Sequence, residues 1–506
     1  MHVGVVVRGP IVPRWQADCI GALTALDAVD VAVAFARGGA RGPGWTAKLI
    51  GGATLEPVAI APIGDLAVSD VVLDLTGDAA DRGAREGTWS LRLGTGDDDE
   101  PFVRDVARGA RTFDVVLLRR VRGQTEELRR GRFPVTYWHR STVRGALAEA
   151  ARWPALFVAA LHDGRPLPAV VAASPPPARR ANALDRLRFA FVMASRLAAF
   201  LFAELFEITE WNVGLAAGEP SRALAVEPLE VRWLPRPPRE TYIADPFVVD
   251  RDGRRLLFVE AFSYARDRGT IEALELDAGG APVARECVLD LPTHVSYPYP
   301  VVYGGALYLV PENVAANDVA LYRSAAFGGG CERAASIFPG FDGVDTTLFE
   351  HDGRWWAFCT RLSRGSLFAL FAFHAATPFG PWTEHALNPV VVDISCARPG
   401  GTPFVVGGAL YRPGQDCSVS YGGGLAIARI DELTPTSYRE TIVRRLDPRG
   451  FGRYAHGVHT LSVAAGTLFV DGKHVYYDVR KLSRSLRGIG ARIASRLARR
   501  TRTAPA

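Results

Sequence analysis

Residues 243–262 read IADPFVVDRDGRRLLFVEAF: an acid before a proline, an apolar run, an Asp-Gly pair, and a second apolar run that ends on another acid. An Asp-Gly pair between two apolar runs is a hairpin signal, because a two-residue turn that follows the twist of its strands needs positive φ at both central residues. The same pattern returns in VSYPYPVVYGGALYLVPEN (295–313), GVDTTLFEHDGRWWAFCTR (343–361), GGTPFVVGGALYRPGQD (400–416) and GVHTLSVAAGTLFVDGK (457–473). The turn glycines stand at 253, 305, 353, 408 and 466, at intervals of 52, 48, 55 and 58 residues. That is about the length of a four-stranded blade. Runs between the copies, such as GTIEALELDA, VALYRSAAF, SLFALFAFHAA and GLAIARI, supply the outer strands. The reading is an all-β five-bladed β-propeller over 211–478, with WNVGLAA (211–217) and the strands near 465–477 sharing the closing blade.

Upstream, residues 1–165 alternate short apolar strands (HVGVVV, VDVAVAFA, DVVLDLTG, FDVVLLRRV) with Ala-rich helical stretches, the signature of an α/β open sheet. Residues 166–210 hold a Pro-rich linker and one helix. Its apolar part, FAFVMASRLAAFLFAELF (189–206), is interrupted by Arg196 and Glu204 and reads as a buried or interfacial helix rather than a membrane span. The C-terminal residues 479–506 place Leu482, Leu486, Ile489, Ile493 and Leu497 among arginines, a basic amphipathic helix suited to an anionic membrane surface or another subunit.

A chain of 506 residues that is 48% hydrophobic has two or three domains. A net charge of only +5 argues against a nucleic-acid binder. Six cysteines without a CxxC pair suggest neither a disulfide scaffold nor a zinc site. MHVGVVVRGPIVPRW at the start reads as a buried strand, not an export signal. The expectation is a cytoplasmic protein, peripheral to the inner face of the membrane.

In a propeller the first strand of each blade lines the central channel, so the residue before it points into the funnel at one rim. That position carries Asp245, Tyr297, Asp345, Thr402 and His459; the returning end of the second strand carries Glu260, Glu312, Thr360 or Arg361, Gln415 with Asp416, and Asp471 or Lys473. Carboxylates, an imidazole and aromatic rings at one mouth suit sugar chemistry: a carboxylate stabilises oxocarbenium character while a second carboxyl or an imidazole handles the proton. Asp245, Asp345 and Glu312 are therefore expected to carry the chemistry. Glu260, Tyr297, Trp355, Arg398, Arg412, Gln415, Asp416, His456 and His459 are expected to bind substrate. The guanidinium forks of Arg398 and Arg412 suit a carboxylate or phosphate, or equally staple the ring by pairing with Asp416 or another blade's acid. His456 and His459 lack an obvious third ligand, so no metal is expected.

Through IADPF, HVSYPYPV, VPEN, GVDTTLFEHDGRWW, RPGQDCS and GVHT, residues 211–478 resemble the N-terminal-like domain of glucosamine inositolphosphorylceramide transferases, a five-bladed propeller, and through it the arabinanase and β-fructosidase clan. The N-terminal half, through DVVLDLTGD, GTWSLRLG and RTFDVVLLRRVRGQTEELRRG, resembles the Rossmann-type formyltransferase N-terminal domain. The Asn, His and Asp set of that family is missing, so formyl transfer is not expected. The resemblances imply a glycosyltransferase-like enzyme of cell-surface polysaccharide or glycolipid biosynthesis, with a carbohydrate or glycolipid substrate and a nucleotide-sugar donor. A five-bladed glycoside hydrolase and a non-catalytic glycan-binding scaffold are the alternatives.

Overall fold

The fold is described from a computed structural model, which covers residues 1–36, 56–64, 66, 69–77, 81–96, 100–167, 171–172, 179–325, 330–464 and 466–482. The repeat glycines sit where the sequence requires them. Asp252-Gly253, Gly304-Gly305, Asp352-Gly353 and Gly407-Gly408 all have positive φ, between 49 and 79°. Only Gly, or an Asp or Asn whose side chain tolerates the left-handed region, occupies both central positions of such a turn at low cost.

Each turn joins the first two strands of an antiparallel sheet, four-stranded except in blade three, where Val391–Val392 pairs as a fifth strand. Blade one is built from Thr241–Arg251, Arg254–Ser263, Arg268–Leu276 and Pro282–Leu289; blade two from Ser296–Tyr303, Ala306–Glu312, Asp318–Ser324 and Cys331–Pro339. Blade three has Gly343–His351, Arg354–Arg361, Ala369–Ala375 and Thr383–Glu384, and blade four has Phe404–Val406, Ala409–Asp416, Gly424–Leu433 and Tyr438–Leu446. The fifth sheet joins Leu461–Ala464 and Thr467–Tyr477 to Glu207–Ala217 and Arg232–Trp233. Glu207 pairs with Tyr477 and Ala217 with Thr467, the full length of both strands. The ring is thus closed between the two ends of the propeller's sequence, as WNVGLAA suggested.

The N-terminal region is one mixed seven-stranded sheet, in the order Asp30–Phe35, His2–Val7, Val71–Asp74, Thr88–Leu93, Thr112–Val121, Gln124–Pro134, Val171–Ala172. The first four strands are parallel, as expected of an α/β sheet. From Thr112 onward the sheet is antiparallel, which departs from the open α/β expectation. The cause is local: Arg122 and Gly123, with φ of 52° and 77°, close a two-residue hairpin, whereas a parallel partner needs a crossover helix. This sheet's core, centred on Trp89, Phe133 and Trp153, includes Val392 and packs against Phe368 of the propeller. The Ile394 N–H donates to the Arg132 carbonyl at 3.0 Å, and Arg364 pairs with Glu149 at 3.0 Å.

Asn182 caps the helix Ala183–Phe206 with a reciprocal capping box, and the helix runs directly into the closing strand at Glu207. It is not a core helix: only 6% of its apolar window is buried. The amphipathic tail expected over 479–506 lies, from residue 483 on, outside the described residues.

Candidate active site at the propeller mouth

The first strands of blades one to three share one irregularity. Their register slips between Ala244 and Phe247, Ser296 and Tyr299, and Val344 and Thr347. In each slip one residue takes left-handed φ: Asp245 at 51°, Tyr297 at 47° and Asp345 at 50°. Pro246 and Pro298, which have no N–H for the ladder, stand in the bulge. Such a conformation costs about 1–3 kcal/mol per residue and persists only where surrounding bonds fix it. Here those bonds link the blades to one another.

Asp245 is at the centre. Its Oδ1 accepts from the Thr460 hydroxyl at 2.9 Å and lies 2.9 Å from His459 Nε2; its Oδ2 accepts the Tyr297 N–H at 3.0 Å. Asp471, fully buried, accepts three backbone N–H groups: His459 at 2.8 Å, Thr460 at 3.1 Å and Asp245 itself at 3.3 Å. His459 Nδ1 is 2.9 Å from Asp471 Oδ2, close enough for an ion pair although its N–H points off the hydrogen-bond line. Burial opposes charge on this imidazole, but Asp471 and Asp245 on its two sides hold its pKa well above the usual histidine range. Burial likewise works against the Asp245 carboxylate, and the His459 charge with the bonds from His459, Thr460 and Tyr297 outweighs it, leaving its pKa lowered. Asp245, His459 and Asp471 each offer a ligand atom within 4.8 Å of the others. Each imidazole nitrogen faces its own carboxylate, however, so a single ion could take only one of them. The geometry is that of an imidazolium clamped between two acids.

Asp345 is engaged differently. Arg398 binds it with a fork, Nε to Oδ2 at 2.6 Å and a terminal nitrogen to Oδ1 at 3.2 Å, and Gln415 Nε2 adds a bond at 2.7 Å. Arg398 also lies 3.6 Å from Glu312, whose Oε2 accepts the Asp345 N–H at 3.2 Å. Of the two readings open for Arg398, the staple between blades is the one built. Asp345 is thus bonded to Arg398 and Gln415 much as Asp245 is to His459 and Thr460.

Glu260 pairs across its hairpin with Ala244, and Glu312 with Ser296, each one residue short of the bulge. Burial, with the Asp245 charge behind it, pushes the Glu260 carboxyl well above its ordinary range, and burial with Asp345 does the same for Glu312. The mouth therefore sets one carboxyl whose surroundings favour its ionised form beside two whose burial favours the protonated form. The folded state keeps protons that the unfolded chain releases near the ordinary value of 4.5. Each therefore lowers stability as pH rises above that value, by up to about 1.4 kcal/mol per pH unit until the folded group ionises. Glu312→Gln removes one such titration, so the melting temperature of the variant minus that of wild type should rise in the variant's favour from pH 5 to pH 8. A difference independent of pH contradicts a protonated Glu312. The loss of His459 stabilisation at high pH is common to both proteins and cancels.

The structure does not bring every expected residue to this mouth. Tyr297 is there but fully buried, its hydroxyl 2.8 Å from Thr347 Oγ1 and accepting the Gly401 N–H at 3.0 Å. It plugs the channel rather than offering a face to a sugar. Arg412 and Asp416 fall on the opposite face of their strand from Gln415, as a period of two requires. Arg412 reaches outward to Glu440 on the outermost strand of its blade, with both contacts at 2.6 Å, and Asp416 to Arg445 at 2.6 Å. Trp355 pairs with Glu350 beside the hairpin turn, packed on Tyr303. Five residues separate Glu350 from Asp345, roughly 16 Å along the strand, so Trp355 belongs to the other rim. His456 is exposed and sits against His474, where its Nδ1 accepts the Val475 N–H. These four were expected at the mouth and are placed elsewhere.

In their stead the structure adds Asp471, Tyr242, His294, Trp211 and Tyr421. Tyr242 donates to Glu260 at 3.4 Å, and His294 Nε2 lies 3.8 Å from the same carboxyl. Trp211 packs edge-on against His459, with ring centres 4.2 Å apart. Tyr421 is 45% exposed, with Arg398 over its ring at 5.2 Å and His459 at 5.6 Å, and is the open aromatic surface at this rim. Asp471 was visible as the fifth-copy counterpart of Glu260; the others lie outside the repeat register.

Fold and mouth define a five-bladed propeller whose rim is lined by inter-blade carboxylates. Residues 237–459 match the family model described as glucosamine inositolphosphorylceramide transferase 1, N-terminal, so this propeller is similar in sequence to the N-terminal part of those transferases. Glucosamine inositolphosphorylceramide transferase 1 of Oryza sativa subsp. japonica is 34% identical over 210 residues, covering 40% of this chain and 28% of the relative. The Arabidopsis thaliana transferase of the same name is 30% identical over 208 residues, 40% of this chain and 27% of the relative. The chain thus spans little more than a quarter of the length of the curated relatives it matches. Among solved structures, the family 117 glycoside hydrolase Zg3597 of Zobellia galactanivorans has a TM-score of 0.34 at 13% identity, covering 54% of this chain and 91% of its own. An exo-β-1,3-galactanase of Phanerochaete chrysosporium has 0.32 at 10%, covering 40% and 51%.

Proposed function

We propose that this is a carbohydrate-active, glycosyltransferase-like protein whose propeller mouth takes a sugar of a glycolipid or cell-surface glycan. The observation that carries the reading is the gathering of three acids with unlike surroundings at one rim: Asp245 against His459 and Thr460, where ionisation is favoured, and Glu260 and Glu312, where burial favours the protonated form. Glycosyl transfer builds positive charge at the anomeric carbon and negative charge at the departing oxygen. A carboxylate clamped by an imidazolium stabilises the first, and a neutral carboxyl donates a proton or hydrogen bond to the second. The name of the relatives, glucosamine inositolphosphorylceramide transferase, supports a glycolipid acceptor, and a nucleotide-sugar donor is part of the same proposal. A formyltransferase-like ancestry for residues 1–165 and a cytoplasmic setting at the membrane face belong to the same proposal, and no step depends on them.

The test is incubation of the full chain with a panel of nucleotide sugars, with and without lipid acceptors. Acceptor-dependent release of nucleotide is expected. Release of reducing sugar from arabinan or fructan with no nucleotide would instead establish a hydrolase. Glycan binding without any turnover would establish a scaffold.

A further inference from the structure

The helix Ala183–Phe206 turns its apolar side outward. Leu184, Leu187, Phe191, Leu201 and Phe202 are between 51 and 73% exposed. With Ala194 and Ala198 they recur every three or four residues, a single stripe along the whole helix on which Ser195 is an uncharged neighbour. Among the described residues only Tyr477, against Phe202, meets the stripe, and by length and composition the helix could cross a bilayer. Its other side rules that out. Arg186 forks onto Glu100 at 3.1 Å, Arg196 donates to the Ala110 carbonyl at 2.7 Å, and Phe189 is buried beside Val103 and Val106. To span a bilayer the helix would have to carry Arg186, Arg196 and the N-terminal region bonded to them into the hydrocarbon.

We propose that this helix lies flat on an anionic lipid surface, with its outer stripe among the acyl chains and the propeller held beside the membrane. Charge complementarity selects a lipid surface over a second copy. Exposed Arg179 and Arg188 stand at the N-terminal end. At the C-terminal end Lys481 donates to the Ala203 carbonyl at 3.2 Å. Cations at both ends of an apolar stripe match phosphate headgroups, and would repel their equivalents on a second copy. An aromatic residue suited to the headgroup level borders the stripe: Tyr477, 62% exposed, meets Phe202 at 5.3 Å. The inference stands apart from the chemistry of the mouth.

Co-sedimentation of the full chain with phosphatidylcholine vesicles, with and without phosphatidylglycerol, tests it; no sugar lipid is present, so the result is independent of the mouth. Wild type should bind the anionic vesicles, and Leu187→Asp with Phe191→Asp should weaken that binding at least about tenfold with melting unchanged. The C-terminal tail is intact in this variant, so binding that survives the substitutions belongs to the tail and overturns the proposal. Failure of wild type to bind overturns it, as does a dimer in light scattering that the same substitutions convert to a monomer.

Discussion

Replacing Asp471 by Ala should destabilise the propeller by about 3–5 kcal/mol, the largest stability effect expected of any residue at the mouth. The carboxylate has no exposure and accepts the backbone N–H groups of Asp245, His459 and Thr460. Its loss strands three buried donors at once and leaves the His459 charge with one partner instead of two. These bonds join blade one to the closing blade, so the damage falls on the seam where the ring is completed. Asp416→Ala is the matched control. Its pair with Arg445 is partly exposed, and such pairs contribute about 1 kcal/mol or less. Thermal or denaturant unfolding of both variants checks the contrast; comparable losses would show that the two acids play equivalent surface roles.

Asp245→Asn should lower glycosyl-transfer turnover by about two to four orders of magnitude, the range associated with a single acid–base or charge-stabilising group. The amide keeps the shape of the side chain and can still accept the Tyr297 N–H, so the mouth is largely preserved. What it removes is the charge facing His459. Asp416→Asn should leave turnover within about twofold, since that residue lies on the far face of its strand. The repeat put both acids at the rim and the fold separates them. Equal loss in both variants would mean that global stability, not the mouth, sets the rate.

Four of the five blades were legible because their turns are chemically strict: a two-residue hairpin with both φ positive admits few residues, and Asp-Gly or Gly-Gly appears in each, while the fifth copy keeps the glycine in Ala465-Gly466. The closing blade was legible for a related reason, since WNVGLAA is a strand without a hairpin partner in its own neighbourhood. Asp245, Asp345, Glu260 and Glu312 were placed by register, which fixes position along a strand but not what a side chain finds there. That is why Arg398 was left between two readings, and why Arg412 and Asp416 were put with Gln415 although alternation sends them outward. Trp355 was misplaced by its aromatic character, although its nearness to the turn already put it at the other rim. Tyr421 and His294 lie on connections between repeats, and nothing in a repeat points to them. The helix Ala183–Phe206 was readable as apolar, but periodicity alone does not say which side meets protein.

The central claim, that the mouth is where a sugar is held, is tested most directly at Tyr421. Its ring is half exposed beside Arg398 and His459, and its backbone carbonyl accepts a bond from Lys473. The measurement is the affinity of wild type and Tyr421→Ala for the tightest-binding member of a glycan array. We expect at least about a tenfold loss, the value of one stacked ring, with an unchanged melting temperature. An affinity that does not change on removal of this ring would place the sugar elsewhere.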